Sequence, residues 1–561
     1  MVKYFLDIFK GLSANNSVAL VGQKKKYTWK EYYTLCNRFS KSILSNNITK
    51  NVAIMGHNTP EWFIAAVGSI MAGVKYAGIY PTNGPEEIEH ILGLADIDVL
   101  VVSKLDLIKD VKRKVKLIVV YDEDPIIKMK NEIPVKTFTQ FIGESSAFSP
   151  SNINIETDSI ISYIFTSGTT SKSKAVKISY ENISFTCHKM SNIYDLNNER
   201  IVSYLPLSHI AASMLDIFLH FYHRGTIYFA KPDALQGTLV DTLKDANPTV
   251  FLGVPRVWEK IMEKMKLTAV KKYQGTIGQI LKKIMDYAKQ KALEYHNAQM
   301  NQNTISQWTK IIYNICSLLF FRKIKTAIGL NSCKFFLSGA APISKEVLDY
   351  FTQIDIIIYE LFGMSETCAI ITGSGPGIYK KGSVGKALIG QVKIAEDGEI
   401  LYYGKNNFCG YKDNLSATLE TLDKSGWLHT GDIGRIDEQG FLFITGRKKE
   451  LIITAGGENV APVLIENEIK KYGPNISHVV VIGDKRKYLT ALITIPKNNR
   501  EYVEQAINKY NENPISRAQK IQKFKILKED FSIENDCMTP TMKLKRAVIA
   551  KKFENEINSM Y

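Results

Sequence analysis

The chain has 561 residues, with 72 Lys+Arg against 56 Asp+Glu (net +16), 45% hydrophobic and 23% charged. That length exceeds what one hydrophobic core serves, and the composition excludes a disordered or fibrous chain. The basic excess favours phosphate-rich or anionic partners, but no Lys/Arg–aromatic cluster or zinc-finger spacing points to nucleic acid.

The opening MVKYFLDIFKGL has helical amphipathic spacing without an uninterrupted apolar stretch, so it is expected to pack on the body rather than act as a signal peptide. Residues 17 to about 120 alternate strand-like runs (NVAIMG, DVLVVS, KLIVVY) with helix-like ones (PEWFIAAVGSIMAG, PEEIEHILGLA). That alternation predicts α/β architecture with a mainly parallel sheet.

A second α/β stretch begins near Ser159 with YIFTSGTTSKSKAVKIS, Tyr163 to Ser179. It reads as a strand entering a loop whose amides, hydroxyls and lysines could cradle phosphate. It is not a nucleotide P-loop of the usual spacing. Counted from Gly168, the second glycine position is Ser173, and Lys174 is followed by Ala175. Taken alone, a solvated polar loop remains the other reading. The strands RIVSYLPLS, TIYFA, TVFLGVP and KFFLSGAAP follow.

Residues 261–330 carry twelve Lys/Arg and three Asp/Glu, a net +9, on two runs with helical spacing. One reading is a basic helix pair on anionic lipid; the other is a helical insertion with a solvated lysine face. From Gly385 to Phe443, short strands with Gly turns predict a small β-barrel or distorted sheet. After GRKKE the α/β pattern resumes, which places a boundary at Gly446 to Lys449. The longest nearly apolar run, IIYNICSLLFF, is too short to span a bilayer, and the final NSMY is not a peroxisomal tripeptide. The seven cysteines are scattered without Cys-x-x-Cys, which predicts a reducing compartment and no zinc site.

Eight stretches, in order, carry a resemblance. They are the Tyr163 loop, YLPLSHIAASMLDI, FLGVPRVWEKI, SGAAPIS, YELFGMSET, WLHTGDIG, GRKKELIITAGGENVAPVLIE and TPTMKLKR. Together they resemble the adenylate-forming acyl-CoA synthetases, and most of all the bubblegum-type long-chain fatty acid–CoA ligases. The resemblance covers essentially the whole chain. It implies a large N-terminal domain (1–445) of two α/β subdomains plus the small β-barrel. A mobile α+β C-terminal domain (446–561) carries the catalytic lysine. It implies ATP, Mg²⁺ and CoA, and a long-chain fatty acid activated through an acyl-adenylate. From the cysteines and the basic segment, the location expected is cytoplasmic, with peripheral contact at the endoplasmic reticulum or another cytosol-facing membrane as one reading.

By the same resemblance, Thr166, Ser167, Gly168, Thr169, Thr170, Ser171, Lys172, Ser173 and Lys174 would hold the β- and γ-phosphates. Related enzymes commonly have glycine at Ser171 and Ala175 and proline at Ser173, so this loop departs from the pattern. Glu366, with Thr166, would serve Mg²⁺. Gly339, Ala340 and Ala341 would let a purine approach closely. Glu360, Leu361 and Phe362 would flank it, with Gly363, Met364 and Ser365 running on to the α-phosphate. Asp432 and Arg447 would grip the ribose, and His209 would lie near the acyl carboxylate. Trp258 would gate the acyl tunnel. Lys543, followed at the family's spacing by Arg546, would neutralise the α-phosphate during attack. Lys449 would be the hinge, and Gly456, Gly457 and Glu458 would meet CoA. Two other readings stay open here: a ligase for another carboxylate or thiol, and a catalytically silent acyl- or nucleotide-binding protein.

Overall fold

The computed structural model describes residues 2–122, 129–130, 132–143, 155–166, 172–300, 303–456, 458–514, 516–539 and 542–561. Its largest sheet has eight strands. From one edge to the other they are Lys174–Ser179, Ile160–Thr166, Tyr76–Ile79, Asn51–Met55, Ile97–Val102, Leu117–Val120, Ile133–Thr137 and Met129–Lys130. The six inner strands are parallel and each edge strand is antiparallel to its neighbour. Runs such as Ile97–Val102 are buried at every position, as a sheet covered on both faces requires.

The covering helices start where the sequence supplies caps. In Trp29–Ser45, Thr28 and Glu31 form a reciprocal capping box. In Pro60–Met71, Thr59 caps and proline takes the first helical position, where its missing N–H costs nothing. The N-terminal helix Phe5–Gly11 buries Phe5 and Phe9 against Tyr180, Phe221 and Trp29, so it packs on the body as expected.

Sequence order and sheet membership do not coincide. Strands Ile160–Thr166 and Lys174–Ser179, which open the second α/β stretch, complete the first sheet. Strands Val18–Val21 and Lys26–Thr28 instead leave the first stretch and join Arg200–Ser203 and Thr226–Phe229. Apolar patterning specifies that a segment is a strand; which partner it takes is decided by long-range packing. A third sheet aligns Val250–Gly253, Phe335–Ser338 and Ile358–Phe362 in parallel. The Gly-rich region forms a four-stranded antiparallel sheet, Gln391–Ile394, Glu399–Tyr403, Leu428–Ile436 and Leu442–Arg447. It is the distorted sheet of the two forms expected, with register shifts on both sides of Leu428–Ile436.

The C-terminal segment has its own sheet of His478–Ile482, Leu489–Thr494 and Ile521–Ile526. Alternate residues of it feed separate cores. Val479 and Val481 face Ile465 and Ile469, whereas Val480 and Leu492 face Phe531 and Ile549. The basic segment folds as the distal half of helix Pro255–Lys272, then Gly275–Met300, Gln307–Cys316 and a continuation through Ala327.

Candidate active site

Strand ends converge above the third sheet and the edge of the first. Thr166 and Lys174 are cross-strand partners at the open end of the hairpin that carries the Ser/Thr-rich loop. Ser167, Gly168, Thr169, Thr170 and Ser171 lie outside the described residues. Lys172 is exposed, and Ser173 is buried. The Ser173 hydroxyl donates to the Glu87 carboxylate, and its carbonyl accepts from His90 Nε2 at 2.9 Å. A carbonyl can only accept, so this contact places a proton on Nε2. Both partners lie on helix Pro85–Leu94, which therefore ties down the loop's outgoing end.

Glu366 sits in the short turn Ser365–Thr367 that follows strand Ile358–Phe362. It is buried, and Tyr411 O–H donates to its Oε1 at 2.6 Å. Lys174 Nζ stands 4.8 Å from the same tyrosine's ring centroid, so one aromatic links the hairpin lysine to the carboxylate. Burial raises the Glu366 pKa against the pull of the Tyr411 hydrogen bond and the charges of Arg447 and Lys174.

Ser338 pairs with Glu360 across the third sheet, which brings Gly339 onto Leu361. A Cβ at Gly339 would stand 3.2 Å from the Leu361 carbonyl oxygen. One at Gly363 would stand 2.0 Å from the Ala369 carbonyl oxygen, so Gly363 admits no side chain. Ala340 takes a left-handed backbone, φ 69°, unusual for a residue with a Cβ. Ala341 follows it, exposed, and Phe362 is buried. Met364 N–H donates to Thr367 Oγ1 at 3.1 Å, and Ser365 is half-buried in that turn. The Glu360 carboxyl is buried with Oε1 unpartnered among the described residues, and burial pushes its pKa up to about 8.

Asp432 and Arg447 are opposite residues on neighbouring antiparallel strands, and Arg447 Nε donates to Asp432 Oδ1 at 2.9 Å. Burial raises the Asp432 pKa even so, while Arg447 and Lys543 pull it down. Lys543 approaches this pair from the C-terminal segment. Desolvation lowers its pKa to about 8; Arg447 adds to the fall, and Asp432 and Glu450 oppose it. Its segment is held by Arg546, which donates to both Glu466 oxygens at 2.7 and 2.6 Å and to Glu450 at 3.1 Å. His209 shares this space. Burial, then the charge of Lys543, lowers its pKa to about 3, and its Nδ1 accepts from Ala211 N–H at 3.3 Å.

Trp258 is fully buried, edge-on to Phe251 and Phe351, and its indole N–H donates to the Leu337 carbonyl at 3.2 Å. It thus touches the strand leading into Gly339. Lys449 is exposed in the short turn Lys448–Glu450. Gly456 and Glu458 are exposed, with Glu458 accepting from Ser516 at 2.9 Å, and no contact among the described residues links them to Glu366 or Asp432. Gly457 lies outside the described residues.

Sequence reasoning missed Tyr411, Glu450, Glu87 and His90. Glu450 stands in the quoted GRKKE stretch and was available there. Tyr411 is 45 positions from its partner and Glu87 is 86 from Ser173, so no local spacing announces either.

Glu366, Asp432 and Glu360, raised by burial, and Lys543, lowered by it, form a cluster of perturbed titratable groups of the kind that marks a candidate enzyme site. Residues 12–412 match the AMP-binding enzyme family and residues 449–561 its C-terminal domain; the chain belongs to the AMP-binding enzymes. It is 38% identical to the long-chain-fatty-acid–CoA ligase ACSBG2 of Xenopus laevis, over 96% of this chain and 80% of that protein. It is 34% identical to ACSBG2 of Homo sapiens, over 95% and 87%. Among solved structures, an anthranilate CoA ligase in complex with anthranoyl-AMP superposes with a TM-score of 0.77. That match covers 99% of this chain and 98% of the other at 17% identity, and so shows the shared fold. The Bacillus subtilis o-succinylbenzoate CoA synthetase with ATP and magnesium gives 0.71, with coverage of 98% and 99% at 18% identity.

Proposed function

We propose that the chain is a long-chain fatty acid–CoA ligase. It joins ATP and a fatty acid to give acyl-AMP and diphosphate, then passes the acyl group to the CoA thiol with loss of AMP. A carboxylate repels nucleophiles and has no good leaving group; the mixed anhydride with AMP supplies one. The observation that carries the reading is the convergence of Lys543, Arg447 and Asp432 with His209, residues contributed by separate parts of the chain.

In this reading a fatty carboxylate oxygen attacks the α-phosphorus and diphosphate leaves. Lys543 offsets charge at the α-phosphate, and His209, held neutral, lies beside the acyl carboxylate. Asp432 accepts hydrogen bonds from both ribose hydroxyls, with Arg447 fixing its orientation. The purine lies between the backbone at Gly339–Ala341 and Phe362, beside Glu360 and Leu361. Thr166, Lys172, Ser173 and Lys174 frame the loop that would hold the β- and γ-phosphates. Among the described residues, no group of three or more His, Cys, Asp or Glu could hold a metal. The buried Glu366 carboxylate with the Thr166 hydroxyl would hold a magnesium ion brought largely by the triphosphate, whose charge the ion would neutralise there.

Lys543 is turned into the site while Gly456 and Glu458 are turned out, which suits the adenylating arrangement. Thioester formation would then need rotation of 446–561 about Lys449. Trp258 closes the acyl route until its indole leaves Leu337. No helix among the described residues is long and apolar enough to cross a membrane. The location proposed is the cytosol, with peripheral contact at an anionic membrane.

The test is ATP–diphosphate exchange by the purified chain with fatty acids of graded length, followed by addition of CoA. Exchange that requires a long acyl chain, with acyl-CoA appearing on CoA addition, is the expected result. Exchange without thioester would replace CoA as the acceptor, and no exchange with any acid would overturn the reading.

A further inference from the structure

Twelve of the 21 exposed large hydrophobic residues among those described fall between Leu267 and Leu319, inside the segment that carries +9 of the chain's +16. On helix Gly275–Met300, Ile277, Ile280, Leu281 and Ile284 recur at i, i+3, i+4 and i+7, one face of an α-helix. Four-residue steps from Ile284 lead to Ala288 and Ala292, which are buried. The same face is therefore covered in its second half and bare in its first: Ile277 is 77% exposed. Helix Gln307–Cys316 and its continuation repeat this at Trp308, Ile311, Ile315 and Leu318, with Trp308 69% and Leu318 63% exposed. Tyr295 stacks on Tyr313 at 4.0 Å, so the two helices form one hairpin. Lys271, Lys272, Lys282 and Lys283 are exposed beside the bare turns.

A lysine-only face would be a solvated insertion, and an apolar face alone would suit another protein. Bulky aliphatic side chains and a tryptophan interleaved with exposed lysines match a surface that is apolar below and anionic above. We infer that this hairpin, with the distal end of helix Pro255–Lys272, docks the protein on an anionic lipid bilayer by inserting Ile277, Ile280, Ile284, Trp308 and Leu318 among the headgroups. Helix Pro255–Lys272 runs unbroken from buried Trp258 to exposed Leu267 and Val270. Twelve residues of helix, roughly 18 Å at 1.5 Å per residue, thus join the acyl gate to the lipid face. Fatty acid would then reach the site from the bilayer rather than through water. That last step rests on the ligase reading; the docking does not.

The experiment is co-sedimentation of the full chain with phosphatidylcholine vesicles, with and without about one third phosphatidylserine. Wild type is compared with I280S/I284S/W308S and with K271E/K272E/K282E/K283E. Wild type should bind the anionic vesicles and lose roughly tenfold on neutral ones or at about 0.5 M salt. Each variant should lose about tenfold or more while keeping its melting temperature and its exchange activity with a soluble acid. Wild type that ignores anionic vesicles, or binding unchanged in both variants, overturns the inference. So does a concentration-dependent dimer abolished by I280S/I284S/W308S, since a second copy would then cover the face. Vesicle binding without exchange activity would sink the ligase reading alone, and exchange without vesicle binding would sink docking alone.

Discussion

Asp355 and Asp432 are both shielded aspartates gripped by cationic side chains, yet their surroundings act on them in opposite directions. Burial would raise Asp355, but hydrogen bonds from His296, Lys325 and Tyr313 and the charge of Lys325 hold it well below the usual carboxylate range. His296 Nε2 at 3.1 Å, Tyr313 O–H at 2.6 Å, Lys325 Nζ at 2.7 Å and Ser317 O–H at 3.3 Å all donate to it. This satisfied centre pins the helical hairpin to the body. At Asp432 burial wins, and its pKa rises despite Arg447; Glu366 rises and Lys543 falls beside it. The protein completes the first centre by itself and leaves the second electrostatically incomplete, as a site for a charged substrate should be.

Lys543→Ala removes the cation that reaches the Asp432 centre from the C-terminal segment. It should lower ATP–diphosphate exchange by about 10²–10³, as loss of one preorganised cationic donor does, without moving the melting temperature. Acyl transfer to CoA from supplied acyl-adenylate should persist, because the role proposed for Lys543 is confined to the α-phosphate. Equal loss in both half-reactions would remove it from that role.

Asp355→Asn tests the other side. It strands Lys325 and weakens three further hydrogen bonds, and should cost about 2 kcal/mol of stability. That is less than the 3–5 typical of a fully buried broken pair, because the carboxylate retains some solvent. Exchange activity per folded molecule should not change. The folded pKa lies below the ordinary 3.8, so this stabilisation is complete above that value and is lost as pH falls through and below it. The variant's deficit should therefore shrink in acid. A deficit that persists unchanged there would mean the carboxylate's charge is not its source.

The contrast explains what the sequence could and could not disclose. Glu366 and Asp432 could be singled out by family resemblance because each lies in a short local motif, one in a single turn and the other on a single strand. The helices at 60–71 and 85–94 were legible for the same reason, since caps and periodicity are local. Sheet membership was not. Val18–Val21 pairs with Thr226–Phe229 more than 200 positions away, and a β-branched run carries no address for its partner. Tyr411, the bridge between Lys174 and Glu366, is hidden for the same reason. The +9 segment was legible as helical, but only packing reveals that its apolar face is half bare.

The alkaline limb of the pH profile reads the charge of Lys543 directly. Lys543, with a pKa of about 8, is protonated below that value and loses its charge above it. For exchange, kcat/KM should fall about tenfold per pH unit on the alkaline side, reporting the free enzyme. In Lys543→Arg the guanidinium does not titrate, so that limb should vanish whatever the variant's overall rate. A limb of equal position in Lys543→Arg would assign it to another group.

The smallest effect concerns Ser173, where the family resemblance implies proline. Here the hydroxyl bonds to Glu87, which fastens the outgoing end of the proposed phosphate loop to helix Pro85–Leu94. A hydrogen bond to a carboxylate is worth about 1.5 kcal/mol or somewhat more, less whatever water recovers at this loop. Ser173→Ala should therefore raise the KM for ATP about three- to fivefold and leave kcat near wild type, since the loop is looser but chemically unchanged. Ser173→Pro loses the same bond but stiffens the backbone, because the ring fixes φ and reduces the states open to the loop. Its KM should return toward the wild-type value. The two routes are thus alternative ways of ordering one loop, one by a hydrogen bond and one by a covalent ring. If Ser173→Ala matches wild type, the Glu87 contact does not order the loop. If Ser173→Pro is the worse of the two, the backbone at 173 needs a conformation proline cannot adopt.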